Sequence, residues 1–331
     1  MKVLITGASG FLGSNIVREL LVQGHTVHAM VEKGRPFPTL EGLPITILEG
    51  NILDAVFLNE AIQECDYVIH TAASTAMFPY RSEKQREINI TGTKNVLDAC
   101  VKASVQRLVY VGTANTFGPG TLDKPGDETN PYVASKYGLD YMDSKYEAHL
   151  QVLHYVSIHN LNAVIVNPTF MLGPLDTGPS SGKMIIAVCE GKLPGFSPGS
   201  KNYIYVKDAA KGVVAALTRG RKGESYILGN ENLSFKEMFA KIATQAGVKP
   251  PRIPMPAVLV KVYGRLGSLM TSITGKPADV TYPLSQIACD DFIYTAQKAV
   301  TELGLPQTPI EVAIDDAIQW FRQHGYLAAR P

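Results

Sequence analysis

A doubly wound α/β sheet, helices on both faces and a smaller lobe over its C-terminal edge, is the fold that this sequence predicts. Three observations point to it. Over the first 170 residues, short apolar runs alternate with amphipathic stretches. A glycine-rich turn joins the first run to the first stretch. After Asn167-Pro168 the texture changes to a segment rich in Gly, Pro and Ser.

The candidate strands are Val3–Thr6, Thr26–Val31, Ile45–Leu48, Tyr67–His70, Arg107–Val111 and Ala163–Val166. They are β-branched or otherwise apolar along most of their length, as strands buried on both faces must be. Helical patterns fall between them at Leu12–Gln23, Ala55–Glu64, Glu87–Lys102 and Tyr141–His159. In residues 173–202 one helix-like stretch, Gly182–Glu190, interrupts the loops. A strand-like Tyr203–Val206 and a helix from Asp208 return the chain to the sheet. Further helices are expected at Ser234–Ala246, Met255–Met270, Thr295–Leu303 and Ile310–His324. Ser234 and Glu237 have the spacing of a capping box. The division implied is 1–172 plus 203–229 for a dinucleotide-binding (Rossmann) domain, and 173–202 plus 230–331 for a discontinuous substrate lobe.

Composition excludes several classes of function. The chain of 331 residues has 31 Lys+Arg against 30 Asp+Glu, a net charge of +1, so no broad positive field recruits nucleic acid. Hydrophobic residues at 45% and charged ones at 18% exclude a disordered chain. The four cysteines, Cys65, Cys100, Cys189 and Cys289, form no CxxC pair and read as small buried hydrophobes. His149, His154 and His159 recur every five residues, so they drift around a helix and present no metal-binding face; no metal is expected. The N-terminus runs straight into a strand with no charged leader or long apolar stretch, which makes a cytoplasmic location the expectation. Met255–Met270 is apolar, with Lys261 and Arg265 four apart. It reads as a docking helix or pocket wall in preference to a membrane-surface helix.

Gly7-Ala8-Ser9-Gly10-Phe11-Leu12-Gly13 lies between the first strand and first helix. Small residues there let backbone approach a pyrophosphate, whose charge is held at the helix N-terminus. The second strand ends in Val31-Glu32-Lys33-Gly34-Arg35. An acidic residue there accepts from the ribose hydroxyls of NAD, whereas a basic one receives the 2′-phosphate of NADP. Glu32 tilts the reading slightly to NAD; Lys33 and Arg35 keep NADP open. Two YxxxK pairs follow, Tyr132–Lys136 and Tyr141–Lys145. Four-residue spacing on a helix puts phenol and ammonium on one face, where the cation lowers the phenol pKa for acid–base work. Residue spacing alone leaves both pairs open.

Taken together, Thr6–Gly13, His70-Thr71-Ala72-Ala73, Asn89-Ile90-Thr91-Gly92-Thr93, Tyr110–Gly118, Tyr141–Ala148 and Val206-Lys207-Asp208-Ala209-Ala210 resemble the extended short-chain dehydrogenases/reductases. That superfamily contains NAD-dependent epimerases, dehydratases and ketone reductases. Within it, Ile165–Thr169, Leu172–Pro174 and Gly223–Gly229 are similar to dihydroflavonol-reductase-like and hopanoid-associated sugar epimerase-like proteins. The resemblance implies Tyr141 as acid/base and Lys145 as its partner, since Tyr141-Met142-Asp143-Ser144-Lys145 fits the family phrase and Tyr132–Lys136 does not. It implies Thr113 as the hydroxyl that orients the substrate oxygen. His149 stands where the family usually has Glu, and Phe117 replaces a frequent Tyr. For the cofactor it implies Gly7, Ser9, Gly10, Phe11, Leu12 and Gly13 around the phosphates and Glu32 or Lys33 at the ribose. Asn51, in place of the usual Asp, and Ile52 would lie at the adenine. Thr71, Ala72 and Ala73 would lie along the adenosine, with Tyr141, Lys145, Asn167 and Pro168 on the nicotinamide side. Asn89 is implied to be helix-start architecture, and Asp208 a helix N-cap.

The expected activity is hydride transfer at a ketone or secondary alcohol. A nucleotide-sugar epimerase or dehydratase with tightly held NAD is the alternative, and a non-enzymatic dinucleotide sensor a more distant one. Lys183, Lys192 and Lys201, with no Arg, are the only basic residues in 173–202, which favours a substrate without a pyrophosphate. The expected partners are that small molecule and a second copy, paired through Glu87–Lys102 and Tyr141–His159 as is frequent in the family; no membrane partner is expected.

Overall fold

The computed structural model describes residues 1–275, 278 and 280–328. The chain opens with β1 (Lys2–Thr6), α1 (Phe11–Val22), β2 (Thr26–Glu32), β3 (Thr46–Gly50), α2 (Ala55–Gln63) and β4 (Tyr67–His70). Next come α3 (Glu83–Arg86), a π-turn over Glu87–Thr91, α4 (Gly92–Ala103), β5 (Arg107–Val111), α5 (Asp140–Ile158) and β6 (Ala163–Pro168). The remainder contains β7 (Phe170–Leu172), α6 (Gly182–Cys189), β8 (Gly195–Phe196), β9 (Ser200–Tyr205), α7 (Val206–Arg219), β10 (Ser225–Leu228) and β11 (Glu231–Ser234). It ends with α8 (Phe235–Ala246), β12 (Ile253–Pro254), α9 (Ala257–Thr274), α10 (Tyr282–Cys289), β13 (Asp291–Phe292), α11 (Gln297–Leu303) and α12 (Ile310–Gln323).

Seven parallel strands form the main sheet in the order β10-β6-β5-β4-β1-β2-β3. The order reverses at β1, between β2 and β4, and the loops after β1 and β4 therefore open a crevice at the switch point, where ligands bind in such sheets. One face is covered by α1 and α7 and continues into the C-terminal helices; α2, α4 and α5 cover the other. Ala163–Val166 has no solvent exposure, which is why this strand reads as a nearly unbroken apolar run.

The return of the chain to the sheet differs from the expectation. The strand containing Tyr203–Tyr205 lies in a separate four-stranded sheet, beside β11 and β13 and also paired with β7. The seventh strand of the main sheet is instead Ser225–Leu228, in parallel register with β6. Tyr203, Ile204, Tyr226 and Ile227 are all fully buried, so hydrophobicity alone does not choose their partners.

Three helices also differ. The helix expected at Glu87 begins at Glu83, where Ser82 caps Gln85 N–H, and passes through a π-turn. Asp208 is not an N-cap: it lies in the first turn of α7, and its Oδ2 accepts the Thr308 N–H at 2.8 Å, tying the helix to the C-terminal segment. The stretch expected at Met255–Met270 to dock or to line a pocket, α9, runs from Ala257 to Thr274; it does dock on α10, through Val260, Gly264 and Thr271, and leaves its other face exposed. Ser234 and Glu237 do form the capping box. Among the described residues no helix is long and apolar enough to cross a membrane.

Candidate active site

The glycine turn has the backbone form its composition requires. Gly7 has φ +69°, and a Cβ there would meet the Ala72 backbone N at 2.7 Å. A Cβ on Gly13 would lie 2.1 Å from Gly7 O, so α1 approaches the turn only because residue 13 has no side chain. Gly10 is the N-cap of α1; it supplies no capping side chain, and the first turn contains no acidic residue. Ser9 and Phe11 are half-buried and Gly10 is exposed, while Leu12 packs inward. A diphosphate fits this cradle: small residues admit it, and the N-terminal N–H groups of the helix are not met by a side chain.

A buried polar chain stiffens the switch point. Thr93 Oγ1 donates to Asn89 O at 2.7 Å and so accepts from His70 Nε2 at 3.1 Å. His70 Nδ1 is then the acceptor for Thr6 Oγ1, 2.7 Å away. Burial, reinforced by Lys145, pushes the His70 pKa down to about 3, so the ring stays neutral. Thr71 Oγ1 donates to Thr6 O at 2.6 Å, and Ala72 N–H reaches Thr6 Oγ1 at 3.3 Å. Ala72 and Ala73 line the crevice wall after β4 as half-buried residues. The sequence signal for His70 was weak, because one polar residue in an apolar run does not announce its partners.

At the end of β2, Glu32 is exposed and its carboxylate meets Arg35 Nε at 2.7 Å; Lys33 is exposed beside it. Asn51 Oδ1 accepts the N–H of Leu53 at 2.9 Å, closing the turn after β3, and Ile52 is buried beneath it against Gly92.

The second half of the site is assembled on α5. Thr113, buried just past β5, caps a short turn by accepting Asn115 N–H, and its hydroxyl reaches Tyr141. Burial raises the Tyr141 pKa while Thr113 opposes that shift, so the free protein holds a neutral phenol. Lys145, one turn along, is buried; its Nζ donates to Val111 O at 2.8 Å and stands 4.5 Å from the Tyr110 ring centroid. Burial lowers the Lys145 pKa to about 7. Asn89, within the π-turn, bonds Ser74 O at 3.0 Å and Ser144 Oγ at 2.9 Å, anchoring α5 to the loop after β4. Asn167 and Pro168 end β6 in full burial, and Asn167 Oδ1 accepts from Thr116 Oγ1 at 3.5 Å. His149 is buried edge-on to Phe117, and burial, reinforced by Lys145, brings its pKa down to about 4.

The other YxxxK pair is split between two partners. Tyr132 OH donates to Asp143 at 2.6 Å, and its ring stacks on Tyr146 at 4.2 Å. Lys136 lies on a short 3-10 turn and pairs with Asp290 at 2.7 Å. Among the described residues no group of three or more His, Cys, Asp or Glu could hold a metal ion.

Comparison with known proteins gives the family and the fold. Residues 3–229 match the NAD dependent epimerase/dehydratase family. A Synechocystis sp. protein named "Putative dihydroflavonol 4-reductase" is 32% identical over 98% of this chain and 95% of its own length. The crystal structure of PA4631, a nucleoside-diphosphate-sugar epimerase from Pseudomonas aeruginosa, superposes with a TM-score of 0.83 at 26% identity, covering 99% of each chain. The UDP-glucose 4-epimerase of Thermus thermophilus, in complex with NAD, shares the fold with a TM-score of 0.77 at 21% identity over 97% of this chain and 99% of that one. The chain thus belongs to the NAD-dependent epimerase/dehydratase family of extended short-chain dehydrogenases/reductases and is an NAD(P)-dependent enzyme of that family.

Proposed function

We propose that this protein reduces a ketone, or oxidises the matching secondary alcohol, on a small molecule without a pyrophosphate. The observation that carries the reading is the convergence of Thr113, Tyr141 and Lys145 at a buried spot where Lys145 is bonded to a backbone carbonyl. The dinucleotide supplies the hydride donor or acceptor at its nicotinamide ring. Tyr141, held as a neutral phenol by burial, donates its proton to the substrate oxygen in the reducing direction. Thr113 holds that oxygen in line with the phenol. Lys145, fixed by Val111 O, sits one helical turn from Tyr141 and provides the cation that favours phenolate once the proton has gone. Gly7, Ser9, Gly10, Phe11, Leu12 and Gly13 hold the phosphates; Thr71, Ala72 and Ala73 flank the adenosine; Asn167 and Pro168 close the nicotinamide side. Glu32, at the tip of β2, favours NAD, with Asn51 and Ile52 under the adenine.

The lobe supports a substrate of modest polarity. Lys192 pairs with Glu190 at 2.8 Å, and Lys201 Nζ lies 4.4 Å from the Phe292 ring centroid with Phe170 and Phe235 also near. Tyr141 itself packs among Ala114, Phe117, Leu139, Met142 and Ile287. The dihydroflavonol-reductase name of one relative suits such a wall. A second reading, epimerisation of a nucleotide sugar, is favoured by the full-length likeness to PA4631. A panel of ketones, alcohols and nucleotide sugars separates the two. Net change in nicotinamide absorbance supports the oxidoreductase, whereas turnover without it, on tightly retained NAD, supports the epimerase. The reading includes a homodimer through α4 and α5, where Leu150 and Ile158 are exposed; sedimentation equilibrium tests it.

A further inference from the structure

Helix α9 has two unlike faces. On one, Val260, Gly264 and Thr271 are buried. A Cβ on Gly264 would stand 2.3 Å from Ser285 Oγ, and one on Gly267 would stand 2.1 Å from Val280 O, so small residues set α9 tightly against α10 and the segment before it. On the other face Val258, Leu259, Tyr263, Leu266, Met270 and Ile273 are each between 56% and 75% exposed. At 100° per residue these six sweep one continuous arc of roughly 140°. A contiguous apolar surface of this kind, on the order of several hundred Å², marks an interaction site.

Charge identifies the occupant. No Asp or Glu occurs between Glu237 and Asp279, although acidic residues equal basic ones to within one across the whole chain. Lys249 and Arg252 are exposed just before α9, and Lys261 and Arg265 border the apolar arc on one side. Among the described residues none of these four makes an ion pair. Lys261 is half-buried and feels the Asp290 carboxylate, and Arg265 lies 5.0 Å from the Tyr282 ring centroid, so Lys249 and Arg252 are the cations left to solvent beside Arg265. An apolar arc with such a basic border complements an anionic bilayer surface, with apolar side chains below the headgroups and basic ones among the phosphates. A second copy of the chain suits it poorly, because two α9 faces related by a two-fold would bring Arg265 and its basic neighbours together, and α9 itself contains no Asp or Glu to offset them.

We propose that α9 seats this protein on an anionic lipid surface. The proposal stands apart from the substrate reading above. The seated helix adjoins the catalytic crevice: Ser268 of α9 lies 3.2 Å from the Tyr80 hydroxyl, and Tyr80 packs in the same cluster as Tyr141. The mouth of the site thereby comes to rest beside the bilayer.

Flotation of the full-length protein with phosphatidylcholine vesicles, with and without phosphatidylglycerol, tests it. At low salt the bound fraction is expected to be about tenfold or more higher on the anionic vesicles and to fall as salt is raised. Leu266→Asp with Met270→Asp should abolish binding. Lys249→Glu with Arg252→Glu should weaken binding to anionic vesicles only. Both double variants should keep the wild-type melting temperature and cofactor affinity, because these side chains are exposed. Absence of binding by the folded wild type, or equal binding to neutral vesicles, would overturn the proposal. So would a wild-type dimer that Leu266→Asp with Met270→Asp splits into monomers, since α9 would then be covered by a second copy.

Discussion

Tyr132–Lys136 and Tyr141–Lys145 share one spacing and have opposite fates. Lys136 is 55% exposed and neutralised by Asp290; Tyr132 gives its proton to a hydrogen bond with Asp143. Lys145 is buried, bonded to a carbonyl and 4.5 Å from an aromatic ring, beside a tyrosine whose phenol is acted on by burial and the Thr113 hydroxyl and by no carboxylate among the described residues. On the proposed reading, the difference teaches that YxxxK serves acid–base chemistry only where two conditions hold. The segment must be a continuous helix, so that the side chains share a face, and carboxylates must be kept away from both groups. Asp143 and Asp290 withhold the first pair from chemistry.

The sharpest way to break this comparison is to remove each phenol. Tyr141→Phe should lower kcat by roughly 10²–10⁴-fold with cofactor affinity retained, the usual loss of a general acid, whereas Tyr132→Phe should leave kcat near wild type. If both variants lost activity equally, the comparison would fail. Removing the amines comes next. Lys145→Met should lower kcat by about 10–100-fold and shift the pH profile, because the phenolate loses its cation; Lys136→Met should do neither. Thr113→Val should follow, at about tenfold in kcat/KM, through loss of one hydrogen bond to the oxygen.

A pH measurement sharpens the contrast without a substrate. Lys145 has a pKa of about 7 when folded and 10.5 when unfolded, so between those values the unfolded chain binds the extra proton. Stability from this group therefore rises with pH across that window, and the burial penalty is fully present below the folded pKa. Melting curves of wild type and Lys145→Met, compared from about pH 7 to about pH 9.5, should diverge in favour of wild type as pH rises. The smallest effect belongs to the exposed pair. Lys136→Met should cost about 0.2–1 kcal/mol in urea unfolding, less at high salt, as expected of a surface ion pair.

Much of the sheet was legible because its signals are local. Tyr67–His70 and Arg107–Val111 have the bounds that their apolar runs suggest, and the turns that follow them break the pattern. The glycine turn was legible for a steric reason: a positive φ at Gly7 and a 2.1 Å approach at Gly13 leave no other residue type comfortable. Other features were out of reach. Tyr203–Tyr205 and Ser225–Leu228 are both short apolar runs, and only long-range pairing sends one to the small sheet and the other to the large one. The His70 chain depends on Thr6 and Thr93, residues 64 and 23 positions away, whose approach no local pattern records.

By itself the sequence determined the alternation of strand and helix, the glycine turn and the presence of two candidate Tyr–Lys pairs. Backbone sterics and side-chain periodicity act over a few residues, so they are written directly in the order of the amino acids. Tertiary structure decided which pair is free of carboxylates, which short strand completes the sheet and which apolar helix face stays uncovered. Those outcomes depend on what a distant part of the chain places opposite. The apolar residues of α9 are the plainest instance: hydrophobicity calls for burial, and only the arrangement of the neighbouring elements leaves that face open to an outside partner.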